Sequence, residues 1–334
     1  MKKFFLVTGG CGFLGSALVR RLLLAGYRVR VFDNQFRGSL SRIEDIAERI
    51  EYQEGDIRDP AAVARAVQGV DAVCHMAAIN GTANFYAMPE LVLEVGVKGM
   101  LNVIDACIAS GVGELSLASS SEVYHYAAVI PTPENVPLVI PDPLNPRYSY
   151  AASKLISEVL AFGFGRKHFR KLLVFRPHNV YGPHMGWEHV IPQFVIRMKQ
   201  LEAAGPGPYR FPIQGDGSET RSFVFVDDFI EGLLIVLERG EHLNTYHIGR
   251  EEEVSMAVVA GMVADYFGEQ IELVAGKPAA GGAARRCPDI AKLSALGYCP
   301  RVSLREGLAV TARWYSEHSG DAPQGVRSMA GEKS

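Results

Sequence analysis

Short apolar runs alternate with stretches of helical spacing along the first half of the chain. Phe4 to Thr8 is apolar and stops at glycine, as a buried strand does. Phe13 to Ala25 places Leu14, Leu18, Leu22 and Ala25 on one helical face. Tyr27 to Phe32 reads as a second strand closed by Asp33, and Val70 to Met76 and Glu114 to Ala118 as two more. Between those last two, Pro89 to Ser110 reads as one long helix. Strand and helix in this rhythm predict an α/β fold: a Rossmann-type, doubly wound parallel sheet with helices on both faces. Ligands of such a sheet collect at the carboxyl ends of its strands.

The second half changes character. Six prolines from Pro131 to Pro146 punctuate a loop of about 25 residues, a length that points to function. Tyr148 to Lys167 then reads as a helix, and Lys171 to Phe175 and Phe223 to Val226 as strands. The shorter, mixed pattern beyond predicts a smaller mixed α/β substrate-binding domain built from separate pieces. The expected division is 1–176 plus 214–236 for the dinucleotide domain and 177–213 plus 237–315 for the smaller one. Residues 316–334 are polar and are expected to be a tail.

Composition narrows the class of partner. With 334 residues, 48% hydrophobic and 21% charged, the chain has ordinary globular composition. Its formal net charge of −3, with no long basic block, speaks against nucleic acid. No apolar stretch reaches the roughly 18 residues a membrane span needs. The basic, apolar start at Met1-Lys2-Lys3 runs into Gly9-Gly10 too soon for a signal peptide. Five scattered cysteines fit free thiols in a reducing cytoplasm, so a cytoplasmic protein is expected.

The turn after the first strand carries Gly9, Gly12 and Gly15, with Gly10 as a further small residue. Glycines there permit a tight turn and let the backbone approach a pyrophosphate at the N-terminus of the following helix. Asp33, eighteen residues beyond Gly15 at the end of the second strand, suits the ribose hydroxyls and repels a 2′-phosphate. NAD is therefore expected over NADP, with Arg37 close by as a weak counter-signal. Phe13 and Leu14 open the helix at that turn, and Asn34 comes directly after Asp33. Asp56 and Ile57 come after Gly55, where a carboxylate could accept from an adenine amino group or serve only its own turn. Ala77 and Ala78 leave backbone room beside the cofactor.

Tyr150 and Lys154 are four apart at the start of a helix and share a face. An ammonium one turn away and a cationic nicotinamide would make the phenol a usable base. That spacing alone is common on solvated helices; Ser119-Ser120-Ser121-Glu122-Val123-Tyr124 at a strand end supplies the partner, since a serine there can hold a hydroxyl against the tyrosine.

With the glycine motif, these residues resemble the extended short-chain dehydrogenase/reductase family, in its NAD-dependent nucleotide-sugar epimerase/dehydratase branch. The likeness runs on through His75–Ala78, Arg176-Pro177-His178-Asn179-Val180-Tyr181-Gly182-Pro183, Gly215-Asp216-Gly217 through Arg221 to Asp228, and Arg286-Cys287-Pro288-Asp289. It implies a sugar-nucleotide domain over the Rossmann domain, with Ser120, Tyr150 and Lys154 as the catalytic trio. It also implies that Asn179, Arg221 and Arg286 contact the diphosphate or sugar of a nucleotide-diphosphate sugar, and that the protein is a homodimer through helices around 90–110 and 150–167. Two departures stand out: Gly96 replaces the family's usual asparagine, and His125 the glycine after Val-Tyr.

The common first step of this branch is oxidation at sugar carbon 4, and Glu122 bears on the second step. The Ser-Ser-Glu run resembles those of sugar 4,6-dehydratases and of UDP-glucuronate decarboxylase, where a glutamate can take the carbon 5 proton; 4-epimerases usually carry a small hydroxyl residue there. Dehydration is thus favoured, though Ser121 is a poorer proton donor than the aspartate many dehydratases have. Epimerisation is the alternative. Decarboxylation is disfavoured because the arginine those enzymes carry falls near His189. Asn80 and Ser121 are expected to line the sugar pocket. His184, Glu188 and His189 lack a metal-site spacing, and no metal is expected. A protein that binds NAD without chemistry would have no need of the intact Tyr150 and Lys154.

Overall fold

The computed structural model describes residues 2–277 and 283–323. Its centre is a seven-stranded, wholly parallel sheet. The strands are β1 (Phe4–Thr8), β2 (Arg28–Asp33), β3 (Glu51–Glu54), β4 (Ala72–His75), β5 (Glu114–Ala118) and β6 (Lys171–Pro177), with β11 (Asn244–Ile248) as the last. Their order is β11-β6-β5-β4-β1-β2-β3, so the chain reverses direction beside β1, and the crevice at that switch point is where a dinucleotide lies in such sheets. The side chains of β1 alternate between two cores. Phe5 and Val7 join the cluster on the face covered by α1 (Phe13–Leu24) and α8 (Val226–Arg239). Phe4 and Leu6 join the cluster under α2 (Pro60–Ala66), α5 (Gly99–Ala109) and α6 (Ser149–His168). Burial on both faces is why these strands read as unbroken apolar runs.

Helix caps differ according to what each end must face. At α2, Asp59 accepts from the backbone N–H groups of Ala61 and Ala62, with Pro60 in the first turn. At α1, Gly12 provides no side-chain cap, so the first N–H groups stay available to an anion at the sheet edge.

Several expectations are corrected. The helix from Pro89 to Ser110 is three pieces: α4 (Pro89–Leu93), a π-turn at Glu94–Lys98, and α5. The β3 strand, with alternating exposed and half-buried residues, is an addition to the expected set, because it is a sheet edge with little apolar signal. The strand at 223–226 is short: β10 is Val224–Phe225, and Val226 already opens α8. β11, which lies in the segment given to the smaller domain, is instead an edge strand of the main sheet, paired in parallel with β6. The tail starts later than expected: α11 (Leu304–Glu317) continues into a 3-10 turn at Ser319–Asp321, and Lys199 Nζ holds the Ser316 carbonyl at 2.5 Å. Residues 324–334 lie outside the described part.

Over the carboxyl edge sit the smaller pieces, including α7 (Val190–Ala204), β9 (Thr220–Ser222), α9 (Met256–Phe267) and β14 (Arg285–Arg286). The proline-rich loop is docked between them and the edge strand β11. Thr132 N–H donates to the Cys287 carbonyl at 2.8 Å, and Glu134 Oε1 accepts from the His247 N–H at 2.9 Å.

Candidate active site

A cavity of about 490 Å³ opens at the carboxyl edge of the sheet, lined from both the main sheet and the pieces above it. One end is a dinucleotide cradle. A Cβ on Gly15 would stand 2.0 Å from the Gly9 carbonyl oxygen, and one on Gly9 would meet Ala77 backbone at 2.9 Å. Gly9 also has φ +72°, so neither position admits a side chain. Gly12, Phe13 and Leu14 line the cavity beside them. Asp33 is buried and lines it too; its Oδ2 accepts the Cys11 N–H at 2.9 Å and its Oδ1 the Gln35 N–H at 2.7 Å. Burial raises its pKa, against those two bonds and the Arg42 guanidinium.

Asn34 Nδ2 donates to Asp56 Oδ2 at 3.1 Å, and Arg58 pairs with the same carboxylate at 2.7 Å, which holds it below the usual range. Asp56 therefore serves its turn while still facing the cavity with Ile57, Ala77 and Ala78. These features, a cradle that no Cβ could share and a carboxylate at the end of β2, fit NAD. Arg37, the counter-signal, lines the same cavity and pairs with Glu188.

At the other end lie Ser120, Tyr150 and Lys154. Ser120 caps a 3-10 turn after β5, its hydroxyl accepting the Glu122 N–H at 3.2 Å, and it acts to lower the pKa of the Tyr150 phenol. Phe85 stacks on the Tyr150 ring at 5.1 Å and 9°, fixing its plane. Lys154 Nζ lies 5.7 Å from that ring's centre and donates to the Ala118 carbonyl at 2.7 Å. Burial pushes the phenol up to about 12 and the ammonium down to about 8, the latter opposed by Glu158. The expected lowering of the phenol by Lys154 is not among the causes of this shift, in which burial outweighs Ser120 and Arg37.

Behind this trio runs a buried network that sequence reasoning missed. Ser119 donates to Glu158, Glu158 pairs with Arg176 at 2.5 Å, and Arg176 donates to the Tyr124 hydroxyl, which meets His247 Nε2 at 2.6 Å. It fixes the strand end that carries Ser120.

Glu122 lines the cavity next to Ser120. Its Oε1 accepts from Arg286 Nη1 at 2.5 Å, and Arg147 Nη2 stands 3.8 Å from Oε2. Burial pushes its pKa up, but Arg286 first, then Arg147 and Arg221, outweigh this and hold it at about 2. Arg286 thus meets a carboxylate while also lining the cavity. Arg221 Nη1 is tied to the Thr220 and Ala284 carbonyls, and Asn179 Nδ2 to the Ser222 carbonyl at 2.8 Å. Asn80, Ser121 and Asn179 face the cavity, and burial lowers the pKa of the His189 imidazole there. Glu188 and Arg37 form an ion pair joining the loop after β2 to the loop before α7, and His184 packs on Trp314. Arg37, Phe85, Arg147 and Glu188 carried no sequence signal for these roles, since each acts through a distant segment.

Of the two departures from the family pattern, Gly96 has a local cause. A Cβ on Gly96 would lie 2.5 Å from Ser153 Cβ, so Ser153 occupies the space an asparagine would need. His125 keeps a positive φ of 47°, the conformation for which glycine is the usual residue.

The sequence profile of the NAD dependent epimerase/dehydratase family matches residues 5–249. Among curated relatives, a dTDP-glucose 4,6-dehydratase of Streptomyces antibioticus is 33% identical over 325 residues, covering 94% of this chain and 92% of that protein. UDP-glucuronic acid decarboxylase 1 of Xenopus tropicalis is 30% identical over 320 residues, covering 94% and 72%. Among solved structures, a dTDP-glucose 4,6-dehydratase from Streptomyces venezuelae with NAD bound superposes with a TM-score of 0.84 at 32% identity, covering 96% of this chain and 99% of that one.

Proposed function

The chain belongs to the NAD-dependent epimerase/dehydratase family, and on that premise we propose that it dehydrates a nucleotide-diphosphate sugar to a 4-keto-6-deoxy sugar. The observation that carries this reading is Glu122, a carboxylate kept ionised beside Ser120 and Tyr150, where transient oxidation of carbon 4 alone would need no second base.

NAD, when bound in the cradle of Gly9, Gly12, Phe13, Leu14 and Gly15 with Asp33, Asn34, Asp56, Ile57, Ala77 and Ala78 around it, supplies the hydride acceptor. Ser120 and Tyr150 together receive the hydroxyl on sugar carbon 4, and Tyr150 takes its proton. Lys154, as an ammonium behind the phenol, favours the phenolate that this transfer requires. Oxidation of carbon 4 acidifies the hydrogen on carbon 5, and Glu122 takes it. The hydroxyl of carbon 6 would then leave as water, with Ser121 to assist, after which the hydride taken from carbon 4 would return to carbon 6 and Glu122 would give its proton back at carbon 5, yielding the 4-keto-6-deoxy sugar. Asn179, Arg221 and Arg286 would hold the diphosphate, and Asn80 the sugar.

The smaller unit over the sheet is assigned the nucleotide. A homodimer is proposed through α4, α5 and α6, where Leu93, Ile156 and Val159 are exposed apolar residues. The proposed location is the cytoplasm: all five cysteines are free, and no helix among the described residues is long and apolar enough to cross a membrane.

The test is to incubate NAD-loaded enzyme with a panel of nucleotide hexoses and weigh the products. Loss of water with deuterium taken up from heavy water at carbon 5 is the expected result. An isomer of unchanged mass would make the protein an epimerase, and loss of carbon dioxide a decarboxylase; either would overturn the proposal.

A further inference from the structure

Three guanidinium groups, those of Arg147, Arg221 and Arg286, surround the single carboxylate of Glu122. The other titratable groups facing this cluster are the His125 imidazole, whose pKa burial lowers, the Tyr150 phenol, and Glu219 beside Arg221, so three cations face two carboxylates. The two nearest guanidiniums are not equivalent. Arg147 belongs to the turn leading into α6; its backbone N–H is fastened to Asn145 Oδ1 at 3.0 Å, and its Nη1 reaches Thr82 Oγ1 at 3.5 Å. Arg286 lines the cavity, and its one side-chain hydrogen bond among the described residues is the bond to Glu122.

We propose that Arg286 is an exchangeable partner of Glu122: it holds the carboxylate while the pocket is empty and passes to the diphosphate when a nucleotide sugar enters, leaving Glu122 on Arg147 alone. This rests on Glu122 being the carbon 5 base. A diphosphate brings two charges and several acceptor oxygens, which match a guanidinium fork better than one carboxylate contact does. It also answers the surplus positive charge around Glu122. Removing the nearest cation from a carboxylate strengthens it as a base. The base is thereby quenched until substrate is seated, and carbon 5 is deprotonated only in the filled site. Arg147 is then a positioning residue, which keeps Glu122 aimed after the exchange.

The carboxyl carbon resonance of Glu122 tests this directly in NAD-loaded enzyme labelled in glutamate, the signal being identified by its loss in Glu122→Gln. It is titrated alone, with UDP or dTDP, and with inorganic pyrophosphate. Nucleoside diphosphate is expected to raise the Glu122 pKa by about one unit or more, the size expected for loss of an adjacent opposite charge. Arg286→Gln is expected to show the raised value already and to lose the response. Arg147→Gln is expected to raise it in both states and keep the response. Should Arg286→Gln fail to fold, Arg286→Lys, which keeps the cation, is expected to retain a response. A Glu122 titration unmoved by UDP and dTDP overturns the exchange, whether because neither binds or because binding leaves the carboxylate untouched. Continued carbon 5 exchange in Glu122→Gln would remove the reading of Glu122 as the base, an outcome separate from the titration.

Discussion

At the scale of single residues the chemistry turns on where charge is kept. Lys154 is buried, and its pKa falls to about 8. The ammonium form is present below that pH and is lost as pH rises through it. If the ammonium supports Tyr150, the rate of carbon 4 oxidation should fall on the alkaline side with a limb near pH 8, measured by substrate turnover across the range. A flat profile well beyond that limb would show that the charge is not needed. For stability the sign runs the other way. The unfolded chain binds this proton more tightly, so burying it as a cation costs free energy below about pH 8, and that cost fades toward the ordinary lysine pKa.

Tyr150→Phe should abolish turnover, a loss of several orders of magnitude, while bound NAD measured in the purified protein stays at the wild-type level. The Tyr150, Lys154 and Ser120 arrangement was legible in the sequence because it is local: one helical turn and one strand end. The partners of Glu122 were not. Arg286 lies 164 positions away from it, and only the fold brings the two together.

At the scale of elements, glycines decide how closely segments approach. The segment 89–110 has helical spacing throughout, yet it is interrupted by a π-turn at Glu94–Lys98, an insertion common near functional sites. That turn brings Gly96 against Ser153, and Ser157 Oγ donates to the Gly96 carbonyl at 3.0 Å. Gly96→Asn, which restores the family's usual residue, should therefore destabilise this protein by about 1–3 kcal/mol through overpacking. Thermal unfolding with the Gly96→Asn, Ser153→Ala pair as a companion checks this, the pair being expected to recover part of the loss. An unchanged melting temperature in the single variant would contradict the packing. Periodicity could place this helix but not its break, because a π-turn leaves the apolar pattern nearly intact.

At the scale of the whole molecule, the parallel sheet was legible because both of its faces are buried and its strands are continuous apolar runs. The join between the sheet and the pieces above it was less so. β11 lies far along the chain from the other sheet strands, within a stretch otherwise occupied by the smaller unit, and nothing local marks it as the seventh strand. The Arg37–Glu188 pair spans 151 positions and is equally invisible to local pattern. Val159 and Ile156 are 63% and 39% exposed on α6, an arrangement that a partner copy would cover. Changing both to aspartate should shift the protein from dimer to monomer in light scattering after gel filtration, with its far-ultraviolet circular dichroism unchanged. A dimer that persists would place the interface elsewhere.

The central claim is that the site oxidises the sugar at carbon 4 and returns the same hydride within one turnover. A nucleotide sugar carrying deuterium at carbon 4 tests it most directly, with the product examined by mass spectrometry and NMR while absorbance tracks reduced nicotinamide in a single turnover. A transient reduced cofactor is expected, together with a product that keeps the deuterium, now at carbon 6. Deuterium lost to water, or product formed with no cofactor reduction at all, would contradict it.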